Sequence, residues 1–284
     1  MTVLVLGATG LQGGAVLRHL RGRGLPLRAL TRHPQSQAAR RLAQTGVEVV
    51  QGDMADPASL GRAFVGVRRA FSVQDFYAPG VGIEGELAQA RTVFSAARQA
   101  GVEHVVQSVM GDGNAPGGPP HFLSKALIER DLRASGLGYT LLGTVWFMEN
   151  LLNPAMKPAL TFPVLRGGLN ADTVFPMLAA EDLGRVAAQV LTDPAPWAGR
   201  KLNLAGDALT VEQMARAYRA ATGRAPRRWR IAPSILRRLT PEFAAQIDWH
   251  NRVNMSFGPA ELRGILPDAL NFARFLQTRP VPRL

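Results

Sequence analysis

The stretch Val3-Leu4-Val5-Leu6-Gly7-Ala8-Thr9-Gly10-Leu11-Gln12-Gly13-Gly14 decides the fold. Its apolar start reads as a buried strand over Thr2–Leu6, and a helical pattern follows over about Gln12–Gly22. Gly7, Gly10 and Gly13 stand at i, i+3 and i+6 between the two. Each glycine has a physical task in such a loop. The first permits a tight turn, the second lets backbone N–H groups approach a pyrophosphate, and the third allows close helix–strand contact. The helix start then offers unpaired amides and the positive end of the helix dipole to phosphates. In a strand–loop–helix context this pattern reads as a dinucleotide cradle; the alternative is a glycine-rich turn with no ligand.

Further strands are expected at Leu25–Thr31, Val47–Gln51, Ala70–Val73, His104–Ser108 and Tyr139–Leu142. Helical patterns separate them at Gln35–Gln44, Ser59–Phe64, Glu84–Ala100 and Phe122–Ser135. This alternation predicts an α/β protein with a Rossmann-type doubly wound parallel sheet, which binds ligands outside the carboxyl ends of its strands. After Asn150 the texture changes. Asn153–Pro163 carries three prolines, and Arg166–Thr173 has no strong period. A helix is expected at Ala180–Leu191, a strand at Arg200–Leu204 and a helix at Val211–Thr222, with Thr210 as cap and Gly223 as stop. Short helices broken by Pro233, Pro241, Pro259 and Pro267 complete the chain. The expected organisation is a dinucleotide-binding domain over 1–150, which also receives 180–205, and a smaller mixed region over 151–284 that covers the cleft and is not independent.

Composition narrows the function classes. The 284 residues are 46% hydrophobic and 19% charged, which is globular. There is no cysteine, so disulfide frameworks, thiol nucleophiles and thiolate zinc sites are excluded, and no metal site is expected. No apolar run approaches the ~18 residues of a membrane helix. The start lacks a basic segment before its apolar run, so it is not read as a signal peptide, and a cytoplasmic protein is the expectation. The net charge is +12, and residues from Arg216 onward carry 13 Arg against 4 acidic residues. These arginines are scattered among Pro, Leu and Ala, which reads as a solvated surface. No helix-turn-helix, zinc finger or aromatic-interleaved basic groove is visible, so nucleic acid is not the expected partner.

The end of the second strand bears on the choice of dinucleotide. An NAD-selective site places a carboxylate there for the ribose 2′-hydroxyl. Here the sequence is Ala29-Leu30-Thr31-Arg32-His33, with no carboxylate. Arg32 can pair with a 2′-phosphate, which points to NADP(H) rather than NAD(H). Asp53, after the third strand, is read as an adenine-side contact or as a cap for the helix after Pro57.

Taken together, GATGLQGG, TRHP, VVQGDMAD, HFLSKALIE, WFMENLL and GRKLNLAGDALT resemble, in order, the segments of the NmrA-like family of atypical short-chain dehydrogenase/reductase proteins. The resemblance implies cofactor contacts from Gly7, Ala8, Thr9, Gly10, Leu11 and Gln12, and from Arg32 and His33 within the segment Arg32–Ser36. It implies adenine-side contacts from Asp53 and Met54, and a loop after the fourth strand at Gln74, Asp75 and Phe76. It also implies Lys125 as the family lysine and a nicotinamide-side loop at Phe147, Met148, Glu149 and Asn150. Two positions depart from it. Gln74-Asp75-Phe76 replaces a Thr-Asn-Tyr-like stretch, and Gly143 stands where relatives often carry Arg.

Ordinary short-chain reductases place Tyr and Lys four residues apart on one helix face, so that Lys lowers the Tyr pKa and Tyr donates a proton. Here His121 stands four residues before Lys125, and Ser108 ends the fifth strand. Three readings stand for His121: a replacement acid, a capping or loop residue ahead of the helix, or a bystander in a site that binds cofactor without turnover. The loop Gly111–Pro120, GDGNAPGGPP, has the composition of a lid. The leading functional expectation is an NADP(H)-binding redox-sensing regulator with a protein partner. The alternative is an NADPH-dependent quinone or carbonyl reductase whose nicotinamide faces an apolar cavity lined by Phe76, Phe147, Met148 and Phe162. A monomer or homodimer is expected.

Overall fold

The computed structural model describes residues 1–111, 117–152, 158–253 and 258–278. Among these described residues there are ten strands and twelve α-helices. The strands are β1 (Thr2–Val5), β2 (Leu27–Thr31), β3 (Glu48–Gln51), β4 (Val67–Ser72), β5 (His104–Met110), β6 (Gly138–Thr144), β7 (Trp146–Phe147), β8 (Phe175–Leu178), β9 (Lys201–Asn203) and β10 (Asp207–Leu209). The helices of the first half are α1 (Leu11–Leu20), α2 (Gln37–Ala43), α3 (Pro57–Ala63), α4 (Gly82–Gln99) and α5 (Pro120–Arg133). Those of the second half are α6 (Pro158–Gly168), α7 (Ala180–Thr192), α8 (Val211–Thr222), α9 (Pro233–Leu239), α10 (Pro241–Val253), α11 (Ala260–Ile265) and α12 (Phe272–Thr278).

The chain divides into two compact units. The first takes Met1–Gly113, His121–Gly143 and Leu183–Leu202. It holds the seven-stranded sheet, in the order β3-β2-β1-β4-β5-β6-β9. β1 pairs in parallel with both β2 and β4. β2–β3 and β4–β5 are parallel as well. The chain therefore winds outward from β1 to β3, returns, and continues from β4 on the other side of β1. That reversal puts the switch point between β1 and β4. Leu4 of β1 and Val105 and Val109 of β5 fill the core with helix residues such as Leu60, Val93, Phe94 and Ile128. α4 contributes because Ala90, Val93, Phe94 and Ala97 recur at helical spacing and give it a single apolar stripe.

The second unit takes Asn114–Pro120, Thr144–Asp182 and Asn203–Leu284. Its small sheet has the order β10-β8-β7, with β7–β8 parallel and β10–β8 antiparallel. α8 matches its sequence signals to the residue. The Thr210 hydroxyl accepts from Gln213 N, the Gln213 side chain returns to the Thr210 N–H, and Gly223 closes the helix at φ 71°. α6 differs from expectation. Its prolines and glycines read as irregular, yet Pro158–Gly168 is helical with Pro163 inside. Proline removes one helix hydrogen bond, and tertiary packing outweighs that loss. Phe162 and Leu165 are fully buried in this unit's core, and Ile231 N–H donates to Pro163 O at 3.0 Å. Among the described residues, no helix is long and apolar enough to cross a membrane.

Each unit buries a histidine. In the first, His104 is hydrogen-bonded to Thr140 Oγ1 at 2.9 Å, and burial together with the Arg69 charge lowers its pKa to about 4. In the second, His250 packs edge-on against Phe175 and Trp249, its Nδ1 has no hydrogen-bond partner, and burial lowers its pKa to about 4. Unfolded histidine titrates near 6.5. Between those values the unfolded chain binds more protons than the folded one, so stability is present above about pH 6.5 and falls as the pH drops toward 4. Urea midpoints measured across that window should fall with pH, and His250→Phe should flatten part of the slope. Equal midpoints at pH 7 and pH 5 would contradict the burial of both rings as neutral groups.

Candidate functional site

The site described here lies wholly within the sheet unit. β1 ends against the glycine loop. Gly7 has φ 64°, and a Cβ there would stand 2.8 Å from Val73 Cγ1 on the neighbouring strand end. Gly10 N–H donates to Gly7 O at 3.0 Å and closes the turn. At Gly13, a Cβ would stand 2.4 Å from Gly7 O, so the helix can cross the strand end only without a side chain there. Gly10 caps α1 with no side-chain hydrogen bond, and the first turn of α1 contains no acidic residue. The amides at that helix start are therefore not satisfied by a local side chain and can receive an anion. Gln12 Oε1 is buried with no hydrogen-bond partner, a polar atom left to a ligand group.

Beyond β2, Arg32 and His33 are exposed, and Arg32 has no carboxylate partner among the described residues. Asp53 does not cap the helix after Pro57. That cap is Asp56, whose carboxylate accepts from Ala58 N at 3.0 Å, because Asp56 directly precedes Pro57. Asp53 Oδ1 instead accepts from Ala55 N at 2.9 Å in a local turn, and Met54 packs against the core.

The loop after β4 carries a polar network. Gln74 is buried; its Nε2 donates to Ser72 Oγ at 2.8 Å and its Oε1 accepts from Gln107 Nε2 at 3.0 Å. Its side chain is thus engaged inward, while its backbone carbonyl accepts from Lys125 Nζ at 3.3 Å. Asp75 Oδ1 accepts from Tyr77 N at 3.1 Å. Ser108 is buried within β5 and does not end it, because the strand continues to Met110.

Lys125 and His121 sit one turn apart on α5. His121 lies inside the first turn of that helix, not ahead of it, because α5 begins at Pro120, a residue suited to a first helical position. Lys125 Nζ donates to Glu86 Oε1 at 2.6 Å, and the Ser124 hydroxyl donates to Glu86 Oε2. Glu86 has no solvent exposure. The Tyr77 hydroxyl lies 3.2 Å from His121 Nδ1, and the rings of Phe76, Tyr77 and Phe122 surround the imidazole. Burial and the neighbouring Lys125 charge push the His121 pKa down to about 4, so its ring is neutral at pH 7. Sequence reasoning missed Glu86 and Tyr77. Glu86 did carry a signal: it shares the helical face of Ala90, Val93 and Ala97, so a carboxylate stands on an apolar stripe and requires a buried partner. Tyr77 carried none.

The loop Phe147–Asn150 belongs to the second unit. Phe147 pairs with Leu178 between β7 and β8, and Met148 is fully buried. Both Glu149 carboxylate oxygens accept from Ala180 N at 3.1 Å and hold the start of α7. Asn150 is half-buried in a single 3-10 turn over Met148–Leu152. Met148 and Phe162, expected along an apolar cavity, are core residues of this unit because their side chains complete its packing. Residues 112–116 of the expected lid lie outside the described residues.

A doubly wound parallel sheet with a glycine loop at its switch point defines a Rossmann-type fold. The chain belongs to the NmrA-like family, whose model matches residues 1–260. It is 32% identical over 228 residues to an NAD(P)H azoreductase of Xenophilus azovorans, covering 78% of this chain and 74% of that protein. Its fold is similar to that of the Citrobacter sp. triphenylmethane reductase complexed with NADP(H), with TM-score 0.81, 22% identity, and 98% and 99% of the two chains covered. It is similar as well to NmrA, a negative transcriptional regulator solved in complex with NADP, with TM-score 0.76, 21% identity, and 97% and 94% covered.

The pair Glu86–Lys125 can be tested directly. Glu86→Gln leaves the Lys125 ammonium without its counter-charge and should cost about 1–3 kcal/mol, less than a fully buried pair because Lys125 keeps some exposure. The double variant Glu86→Gln/Lys125→Met should cost less than the sum of the single changes. Strict additivity in denaturant titrations would contradict the coupling.

Proposed function

We propose that the protein is an NADPH-dependent reductase of aromatic acceptors, of the quinone or azo type. The observation that carries this reading is the Tyr77 hydroxyl on the His121 ring, one helix turn from Lys125. Position 121 lacks the tyrosine of ordinary short-chain reductases, and the loop after β4 brings a phenol to the same helix face. The similarity to an azoreductase supports the acceptor class.

The residues present fit the cofactor. The glycine loop and the start of α1 would hold the pyrophosphate, Arg32 the 2′-phosphate, and Asp53 with Met54 the adenine side. Lys125 has three N–H donors; Glu86 and Gln74 O engage two among the described residues, which leaves one for the nicotinamide ribose. When bound, NADPH supplies the hydride. The chain's own part is the proton. In the tautomer of neutral His121 that carries its proton on Nδ1, that N–H donates to the Tyr77 oxygen, directs the phenol proton outward and stabilises the phenolate left by its transfer. Tyr77 is 65% exposed, so water restores its proton. Lys125 adds a fixed positive charge beside the pair.

A redox-sensing regulator that binds the same dinucleotide is the second reading. The residue that favours it is His121, which stands at the usual position of the proton donor.

Two variants test the assignment. Tyr77→Phe should lower kcat on a quinone or azo acceptor by roughly 10²-fold while leaving NADPH affinity intact, the size expected for a lost general acid. An unchanged kcat removes Tyr77 from the chemistry. Arg32→Ala should weaken NADPH by about 10- to 100-fold and NADH hardly at all, as loss of a charge-assisted hydrogen bond requires. Equal losses for both cofactors remove the 2′-phosphate role.

A further inference from the structure

Arginines that are scattered in the sequence converge in the second unit. A cavity of about 310 Å³ opens between α6, α8 and the segment that follows α8. Five guanidinium groups line it, from Arg166, Arg216, Arg219, Arg228 and Arg230, against one carboxylate, Glu212. It shares no residue with the glycine-loop site.

The cavity has a built floor. The Arg166 side chain is only 8% exposed. Its Nε donates to Glu212 Oε1 at 2.8 Å, its Nη1 donates to Arg227 O, and its guanidinium lies over the Phe162 ring. These bonds tie the segment carrying Arg228 and Arg230 to the helix carrying Arg216 and Arg219. The contact from Ile231 N–H to Pro163 O fixes the far end of that segment. Hydrogen bonding from Arg166, with the charges of Arg216 and Arg230, holds the Glu212 carboxyl below its usual range. Glu212 is thus already engaged. Among the described residues, Arg216, Arg219, Arg228 and Arg230 have no carboxylate within salt-bridge distance. Four exposed like charges around one opening repel each other, and an anion of matching charge relieves that repulsion.

We infer that this cavity is a binding site for a small phosphorylated anion carrying at least two negative charges. Planar guanidinium forks match phosphate oxygens in bidentate fashion. The volume stands at the lower end of small-molecule pockets, which suits a compact ligand and not a duplex or a folded partner.

Calorimetric titration of the full chain with inorganic pyrophosphate tests this. Wild-type protein should bind it, and the affinity should fall at least tenfold in Arg216→Ala/Arg228→Ala and again in Arg219→Gln/Arg230→Gln. Prior saturation of the glycine loop with NADPH should leave the wild-type affinity unchanged. All four substituted side chains are exposed, and far-ultraviolet circular dichroism checks the fold of each variant. No binding to wild type, or equal binding by wild type and both double variants, overturns the site. Displacement of the pyrophosphate by saturating NADPH, with binding kept in both double variants, assigns it to the glycine loop and overturns the site as well. Citrate binding as tightly as pyrophosphate overturns the phosphate assignment, and a short DNA duplex binding more tightly, with loss in the same double variants, overturns the small-ligand assignment.

Discussion

A carboxylate taken out of water costs free energy unless a cation meets it. Glu86, with no exposure on α4, meets Lys125 on α5 at 2.6 Å. That pair organises the site of the sheet unit. It fixes where the Lys125 ammonium stands, and Lys125 Nζ also reaches the Gln74 carbonyl and so holds the loop after β4. The same loop then presents Tyr77 to His121. One buried charge therefore sets the positions of the ammonium, the imidazole and the phenol.

The glycine cradle is a second constraint, and it is steric. Gly7 lies against Val73, and Gly13 lies against the carbonyl of Gly7. Side chains at these points would separate α1 from the strand ends and displace the uncapped amides at its start. The cradle and the Lys125 network meet at the same switch point, since β1 and β4 are neighbours and the loops following them carry the two sets of residues.

The fold was legible in the sequence because its signals are local. Strand–helix alternation predicts the doubly wound sheet, and the glycine triplet at fixed spacing predicts the cradle. Thr210 and Gly223 bound α8 to the residue because caps act within a single turn. The candidate site was legible in part. Lys125 and His121 stand out as an i, i+4 pair, but their partners come from 39 and 44 residues away, beyond the reach of any spacing rule. Glu86 was readable as an acid on an apolar stripe. α6 was not, because Pro163 argues against a helix that the packing of Phe162 and Leu165 and the bond from Ile231 help sustain. Convergence of the arginines around Arg166 was hidden for the same reason, since the segments that carry them meet only in the folded unit.

Family membership alone leaves the choice between turnover and sensing open, because reductases and a transcriptional regulator share this fold. On the proposed reading the phenol on the neutral imidazole beside Lys125 serves turnover, whereas a regulator needs only the cradle. The most direct measurement is the absorbance of NADPH during incubation of wild-type protein with a simple quinone and with an azo dye, each against a protein-free control. Stoichiometric NADPH oxidation is expected with at least one acceptor, far faster than with NADH. Tight NADPH binding with no oxidation above the control for either acceptor would contradict it.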